Sequence, residues 1–427
     1  MKTTLLKEVL KNQVYPAMGC TEPVSAALCA ANAAAAAEGK IIKAVLHADA
    51  GTFKNGLGVR IPNTDGEKGN LLAAAIGLLI ARPDLGMQIL KACTPAILKK
   101  AKAMAAAKKV QIKVADKKGF YIECNLQTDK KEIIKCVISG SHTAVSLLQK
   151  NGRTLVKQTA GAHGKKTDFK NRLAKATLKQ LIAEADKADK QDLAYIKKGA
   201  LMNLEAAESG AELKKVGYYL QQLVARDMLD NSIVNSTKIL AARAADARMD
   251  GLPIPVMSSG ESGNQGIVAV LVPYHVGKKM KVSEEKILKS IALSHLLNGY
   301  VKCFTGGLAP ICGCAIAAGV GAGAAIVYQQ NGADIKGITL AINNIISDIG
   351  GMLCDGAKSG CALKVATSAD SALRAAFMGI RHYGITEVEG FVGKTAEQTI
   401  QNLSRISNIG MGAVDSCIVG IMQDKSS

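Results

Sequence analysis

Five cysteines lie among glycine and alanine residues in the segment from Tyr300 to Cys361. They are Cys303, Cys312, Cys314, Cys354 and Cys361. Thiolates are soft ligands that suit iron–sulfur clusters or zinc, and small neighbours let two backbone segments approach one bulky inorganic group. The alternative is a set of buried core residues, because a free cysteine behaves as a small hydrophobe. The segment predicts a cofactor site and leaves the core alternative open.

A further cysteine, Cys20, precedes a predicted helix start. Thr21 followed by Glu22 and Pro23 is typical of a first helical turn, and the alanine run predicts a helix as far as Gly39. The unpaired N–H groups and the dipole at a helix N-terminus stabilise a thiolate. The alternative is an ordinary helix start with an incidental cysteine.

Cysteine usage also bears on the compartment and on the kind of metal. The chain has 11 cysteines, and its first residues carry charges and a proline where a signal peptide has an apolar run. We therefore expect a reducing, cytoplasmic location, in which cysteines are metal ligands, catalytic groups or core residues. No C-x2-C pair occurs in the sequence, which argues against a structural zinc site.

Polar residues in two predicted loops are candidates for proton transfer and anion binding. His142 follows a strand end in SGSHTAV, where a neutral imidazole is a suitable base. Lys54, Asn55 and Arg60 are flanked by glycines in DAGTFKNGLGVRIPNT, which predicts either an anion-binding loop or a surface β-turn.

A third polar segment, Ser258 to Gly266, opens onto an apolar helix. Backbone N–H groups in such a loop can hold a carboxylate or a phosphate. The segment lacks the Gly-Lys-Ser/Thr ending of a Walker loop, and no G-x-G-x-x-G follows a predicted strand. The candidate substrate-binding residues are Ser259, Gly260, Ser262, Gly263 and Asn264, together with Asn55.

The spacing of apolar residues changes along the chain, and it predicts the helices and strands that position these residues. Residues 1–39 have helical spacing. Four segments alternate or are rich in β-formers, at 40–49 (KIIKAVLHAD), 108–116, 119–127 (GFYIECNLQ) and 132–140, and helices are predicted between the first two, at 70–81 and 87–105. Residues 165–250 have the apolar spacing of scaffold helices, and helices continue to the end. This pattern predicts an α+β fold, with a smaller antiparallel-sheet domain (40–160) inserted into a mainly helical catalytic domain (1–39 and 161–427).

Charge and hydropathy limit the possible partners. The net charge is +19, but the lysines are spread along amphipathic helices and only 4% of residues are aromatic, which argues against nucleic-acid binding. The apolar run at 315–327 is too short to span a bilayer and predicts a buried core helix. We expect neither a nucleic-acid nor a membrane partner.

Four separated motifs in this order resemble the L-cysteine desulfidase family, which is related to the α-subunit of bacterial iron–sulfur L-serine dehydratase. They are GCTEPVSAAL, SSGESGNQGI, APICGCAIAAGVGAG and GGMLCDGAKSGCA. The resemblance extends over nearly the whole chain. The serine dehydratases have Cys-Asp-Pro-Val-Gly-Gly where this chain has Cys354-Asp355-Gly356-Ala357-Lys358. That departure favours the desulfidase branch.

The resemblance implies a four-iron, four-sulfur (4Fe-4S) cluster held by three cysteines, with one iron open to substrate and without pyridoxal phosphate. It implies Cys20 and Cys354 as ligands, with a third in the CGC of 312–314. Residues two apart on a helix point to nearly opposite sides, so we expect only one of these two cysteines to bind the cluster. Cys314, which opens the predicted helix and matches the family pattern better, is the expected ligand, with Cys312 and Cys361 as reserves.

The activity implied by the resemblance is β-elimination of L-cysteine to hydrogen sulfide, pyruvate and ammonia. His142 is the leading candidate for the base, and Lys54 is the second. The expected partner is a small amino acid, and a homodimer is left open. Alternatives are an L-serine dehydratase, a hydro-lyase acting on another small hydroxy acid, and a non-enzymatic iron–sulfur redox sensor.

Overall fold

The computed structural model describes residues 4–19, 21–117, 119–157 and 164–425. Its helices and strands confirm the predicted α+β class. The α-helices, in chain order, are α1 Leu5–Gln13, α2 Thr21–Ala35, α3 Ala50–Leu57, α4 Asn70–Ile80, α5 Pro95–Ala106, α6 Gly164–Ala174, α7 Leu178–Asp186, α8 Lys190–Ser209, α9 Val216–Ala225, α10 Ile233–Met249, α11 Gly263–Lys279, α12 Glu284–Thr305, α13 Ile316–Asn331, α14 Ile335–Ile349, α15 Cys361–Ile380, α16 Ala396–Arg405 and α17 Val414–Asp424. A 3-10 helix spans Pro83–Ala92 and a π-helical turn spans Ile406–Gly410.

The strands form one large sheet and one short ribbon. They are β1 Pro16–Ala17, β2 Ile41–Asp49, β3 Val110–Ala115, β4 Tyr121–Thr128, β5 Ile133–Ser139, β6 Val145–Lys150, β7 Arg153–Lys157 and β8 Val256–Met257. The large sheet has the order β3-β2-β4-β5-β6-β7. The predicted strands at 40–49, 108–116, 119–127 and 132–140 correspond to β2 to β5, whereas β6 and β7 were not predicted.

The expectation of a purely antiparallel sheet is wrong, because β2 and β3 pair in parallel and the other strand pairs are antiparallel. Parallel neighbours need a long crossover connection. The chain between β2 and β3 supplies one, through α3, α4, the 3-10 helix and α5. The helix predicted at 87–105 is divided at Cys93–Thr94, where Thr94 caps α5.

Two large hydrophobic cores underlie this architecture. The first is built from buried residues of α1, α6 to α8, α10 to α16 and β8. The second is built from those of α2, α4, α5, the 3-10 helix and β2 to β5. The apolar run at 315–327 lies in α13, which is buried along most of its length and confirms the predicted core helix. The division into segments 1–39, 40–160 and 161–427 stays a prediction.

The β1–β8 ribbon joins the start of the chain to its middle. Pro16 pairs with Met257 and Ala17 with Val256, in antiparallel register. The Tyr15 N–H donates to Ser258 Oγ at 2.9 Å, and the Ser258 N–H donates back to the Tyr15 carbonyl at 2.9 Å. The ribbon therefore sets the beginning of α2 beside the turn that precedes α11.

The helices are short or interrupted by polar residues relative to what a bilayer requires. Across the described ranges, no single helix is long and apolar enough to cross a membrane. The helices Asn70–Ile80 and Pro83–Ala92 reach the length and apolar composition of a membrane span only when taken together. The chain bends by 116° between them.

Candidate functional site

A cavity of about 410 Å³ lies where the two cores meet. Its walls are formed by the first turn of α2, by α3, by the β5–β6 turn, by the start of α11, by the end of α12 and by the loops that flank α13 and α14. Most of the predicted site residues line it: Lys54, Asn55, His142, Ser262, Asn264, Cys312, Cys314, Cys354 and Cys361. Cys20, the predicted first ligand, lies outside the described residues.

Two loops bring four of the cysteines to one wall of the cavity. Ile311 and Leu353 form an isolated antiparallel bridge. On either side of it, the Cys312 N–H donates to the Met352 carbonyl at 2.8 Å and the Cys354 N–H donates to the Pro310 carbonyl at 2.6 Å. This pairing places the loop before α13 against the loop after α14. Cys361, the first residue of α15, completes the group.

The expectation that Cys312 and Cys314 diverge on a helix is wrong, because neither residue lies on a helix. Helix α13 begins only at Ile316, so the rule that residues two apart on a helix diverge does not apply. The side chains of Cys312 and Cys314 instead interact with each other. This interaction lowers the pKa of Cys312 to about 6 and raises the pKa of Cys314 well above its usual value. Which of the two is a ligand stays a prediction.

The other two thiols are enclosed in the same region. Burial raises the pKa of Cys354 and of Cys361, and the charge of Cys312 acts in the same direction on both. The four sulfurs are therefore close enough to influence one another. The Lys358 N–H also points at Cys361 Sγ, at 3.4 Å.

The donor atoms on the cavity wall bear on the cluster that the resemblance implies. Within the described ranges, no group of three His, Cys, Asp or Glu side chains is arranged to hold a single metal ion. In a cluster, however, the cysteines bind different iron atoms, and several soft thiols on one cavity wall are the donors that iron–sulfur clusters use. Both neighbours of Cys20 are near this cavity. Thr21 lines it, and the Gly19 carbonyl accepts a hydrogen bond from the cavity residue Arg248. The residues fit a cluster.

His142 lies in the turn between β5 and β6, as the strand-end prediction required. Its carbonyl accepts from Ser25 Oγ at 2.8 Å, and its ring contacts that of Phe120, with centroids 4.4 Å apart. His142 Nε2 lies 3.1 Å from Thr21 Oγ1, which donates to Glu22 Oε2 at 3.2 Å. In the matching tautomer, Nε2 donates to Thr21 and Nδ1 is the basic nitrogen. Burial lowers the pKa of His142, which favours the neutral ring.

Lys54 and Asn55 lie on helix α3, so both predicted alternatives for them, the anion-binding loop and the surface β-turn, are wrong. Asp49 caps α3 by accepting from the Thr52 N–H at 3.0 Å, so the segment continues as a helix whose residues are buried. Lys54 donates to the Cys354 carbonyl and to Asp415 Oδ1, both at 2.5 Å. Asn55 donates to Glu22 Oε1 at 3.1 Å.

The segment from Ser258 to Gly266 does open onto an apolar helix, α11, but its residues divide between the cavity and its support. Ser262 and Asn264 line the cavity. Ser259 is fully buried and lies 2.9 Å from His295 Nδ1 and from Asn298 Nδ2. Gly260 packs against Lys302 and Gly263 against Arg248; a β-carbon at Gly263 would lie 2.3 Å from Arg248 Nε.

Several charged cavity residues were not identified from the sequence. Arg248 ends a region that was interpreted as scaffold only, yet it is buried in the cavity wall and donates to Asn264 Oδ1 at 3.0 Å and to the Gly19 carbonyl at 2.7 Å. Helical spacing gave no signal for it. Lys302, whose pKa is lowered by burial, donates to the Gly260 carbonyl. The others are Glu22, Glu261, Lys170 and Lys364.

Comparison with known proteins identifies what this chain is similar to. The family model of the serine dehydratase alpha chain matches residues 84–420. A UPF0597 protein of Elusimicrobium minutum is 66% identical over 422 residues, covering 99% of both chains. UPF0597 proteins of Geobacter sulfurreducens and Clostridium tetani are 49% and 37% identical, the former covering 99% of both chains and the latter 99% of this chain and 98% of its own.

Proposed function

The chain belongs to the serine dehydratase alpha-chain family, and from that premise we propose that it is a lyase that degrades L-cysteine to hydrogen sulfide, pyruvate and ammonia. One observation carries the proposal. A group of thiols, a neutral histidine and a buried arginine share the walls of one cavity. A β-elimination needs a base at Cα, an anchor for the substrate and assistance to the leaving group.

Arg248 and Asn264 are the proposed anchor for the substrate carboxylate. Arg248 is 6% exposed, and its guanidinium group forms no ion pair with a carboxylate of the described residues. A buried cation without a counterion favours an anionic ligand. The planar donor group of arginine also matches a carboxylate. The N-terminal turn of α11 adds its partial positive charge at the same place.

His142 is the proposed base. Nδ1 takes the α-proton while the hydrogen bond from Nε2 to Thr21 holds the ring in place. The electron pair of the broken Cα–H bond forms the Cα=Cβ bond, and the Cβ–S bond breaks to release hydrosulfide. The remaining 2-aminoacrylate tautomerises to the imine, and water hydrolyses it to pyruvate and ammonia.

Cys20, Cys314 and Cys354, with Cys312 and Cys361 as reserves, are the proposed holders of a 4Fe-4S cluster. Once bound, that cluster would supply a Lewis acid for the leaving sulfur, and no pyridoxal phosphate is required. Lys54 is better suited to positioning than to proton transfer, because its ammonium group already donates to Asp415 and to the Cys354 carbonyl. A cytoplasmic location and a homodimer stay predictions.

L-Serine is the second candidate substrate, and the match to the serine dehydratase alpha chain favours it. The two activities differ in the leaving group, hydrosulfide or hydroxide, and otherwise need the same base and anchor. A redox sensor would have no need of the base and the anchor that line this cavity.

Anaerobic reconstitution with iron and sulfide, followed by pyruvate assays, tests the proposal. We expect a brown protein that forms pyruvate from L-cysteine with stoichiometric sulfide, and more slowly from L-serine. Faster turnover of L-serine would transfer the assignment to the serine enzyme. A reconstituted protein that contains a cluster but releases pyruvate from neither amino acid would refute the lyase proposal.

A further inference from the structure

The turn from Ser259 to Ser262 has a backbone conformation that its sequence does not favour. The Ser262 N–H donates to the Ser259 carbonyl at 3.0 Å, and the Ser259 N–H donates to the Ser262 carbonyl at 3.1 Å. Both central residues have positive φ, 55° at Gly260 and 67° at Glu261. Turns of this type strongly prefer glycine, asparagine or aspartate at both central positions.

Glu261 is therefore a residue held in a strained conformation. A long side chain in the left-handed region costs free energy that glycine and asparagine avoid. Among the described non-glycine residues with positive φ, the others apart from Ala81 are exposed, and none of them lines the cavity. Strain that persists at a cavity wall indicates a functional requirement for the side chain.

The carboxylate of Glu261 has acceptor capacity left for a ligand. Its side chain is 25% exposed, and its nearest cation in the described part of the chain is Lys170 Nζ, 3.8 Å from Oε1. Burial lowers the pKa of His142 and of Lys302, and the charge of Glu261 acts in the opposite direction on both. Its carboxylate therefore lies within electrostatic range of the proposed base.

Carboxylates are the scarce charged groups on the cavity walls, which matters for a zwitterionic ligand. The basic side chains outnumber the carboxylates: Lys54, Lys170, Arg248, Lys302 and Lys364 against Glu22 and Glu261. Glu22 already accepts from Thr21 and Asn55. A bound carboxylate would be satisfied by the basic groups, whereas an ammonium group in the same cavity needs an available carboxylate.

We propose that Glu261 binds the α-ammonium group of the substrate and that the strained turn exists to present it. Glu261 is thus a specificity residue that selects α-amino acids over the corresponding α-hydroxy acids. The inference rests on the proposed function for the identity of the cavity as the substrate site. It adds the residue that recognises the amino group.

Binding of two unreactive ligands to the reconstituted protein tests the inference by calorimetry. L-Alanine and L-lactate share a carboxylate and a methyl group and differ in the α-ammonium group. We expect wild-type protein to bind L-alanine more tightly. Glu261→Gln should weaken L-alanine binding about 10- to 100-fold, the scale of one charge-assisted hydrogen bond, and leave L-lactate unchanged or tighter.

Other binding results would overturn the inference. One is equal affinity of the wild-type protein for L-alanine and L-lactate. The others are that Glu261→Gln weakens the binding of both ligands equally, or that the wild-type protein binds neither ligand. None of these depends on turnover, so a failed pyruvate assay and a failed binding test remain distinguishable.

A stability comparison separates a functional carboxylate from a structural one. Glu261→Asn removes the same charge and suits positive φ, so its apparent melting temperature should exceed that of Glu261→Gln by about 1–3 °C. Lys281, exposed and at φ 58°, is the matched control. Lys281→Asn should raise the melting temperature without changing the affinity for either ligand. Marked destabilisation by both Glu261 variants would show that the carboxylate supports the fold, and would overturn the inference.

Discussion

Lys54 Nζ lies 2.5 Å from the carbonyl oxygen of Cys354, although the two residues are 300 positions apart in the chain. The same ammonium group contacts Asp415 Oδ1 at 2.5 Å. A single side chain of α3 therefore supports both the loop that carries a proposed ligand and the start of α17. The contact therefore connects α3, which follows β2, to the cysteine-bearing loop after α14.

Replacing this lysine tests that support. Lys54→Met should lower the free energy of unfolding by about 2 kcal/mol, because Asp415 and the Cys354 carbonyl lose a buried charged donor. It should also lower the iron content after reconstitution. Chemical denaturation and an iron assay measure the two effects.

An exposed ion pair provides the control for Lys54. Lys102 pairs with Glu67, and the two side chains are 50% and 37% exposed. Lys102→Met should change the free energy of unfolding by less than about 1 kcal/mol and leave the iron content unchanged. Equal effects of the two substitutions would contradict the role given to Lys54.

Cysteine substitutions separate ligands from core residues. Cys20→Ala, Cys314→Ala and Cys354→Ala should each abolish the visible absorption of the cluster and the activity. Cys93→Ala and Cys136→Ala should keep both, because these buried cysteines belong to the second core and do not line the cavity. An active Cys354→Ala enzyme would end the ligand assignment.

The choice between Cys312 and Cys314 needs its own comparison, because each of the two thiols shifts the pKa of the other. We expect Cys312→Ala to retain part of the cluster and Cys314→Ala to lose it. The reverse result would make Cys312 the ligand. Iron and sulfide quantification on the two variants, prepared in parallel, decides between them.

Substitution of the proposed base should separate chemistry from cluster binding. His142→Asn should lower turnover by about a hundredfold or more, the usual scale for a positioned general base, and keep the cluster absorption. Solvent deuterium should no longer exchange into the α-carbon of bound substrate. A variant that exchanges and turns over like the wild type would transfer the role to another group, with Lys54 the next to test.

The pH dependence follows from the surroundings of His142. Burial moves its pKa below the ordinary 6.5. Because the neutral imidazole accepts the proton, kcat should be constant above that pKa and decrease as the pH falls through it. The midpoint of the acid limb should therefore lie below pH 6.5.

Phe120 provides a test of the cause, because its ring packs on that of His142. Phe120→Ala exposes the imidazole to water and should move the acid limb to higher pH, toward 6.5. An acid limb that lies above pH 6.5 in the wild type, or that Phe120→Ala does not move, would argue against His142 as the titrating group.

Local pattern was sufficient for many of the elements. The alternation in KIIKAVLHAD and GFYIECNLQ predicted β2 and β4, and the alanine-rich run after Thr21 predicted α2. The position of His142 at a strand end and the start of α11 after the Ser258–Gly266 segment also followed from the sequence. Strand and helix periods depend on neighbouring residues, so the sequence contains them directly.

Only the tertiary structure decided which distant residues share the cavity. The sequence by itself determined the α+β class and the segments that carry chemistry. It gave no sign that Arg248, at the end of a scaffold helix, would contact the carbonyl of Gly19, or that β2 and β3 would pair in parallel across a helical connection. Such contacts arise because packing two cores against each other fixes the relation between segments hundreds of residues apart, and no local periodicity records that relation.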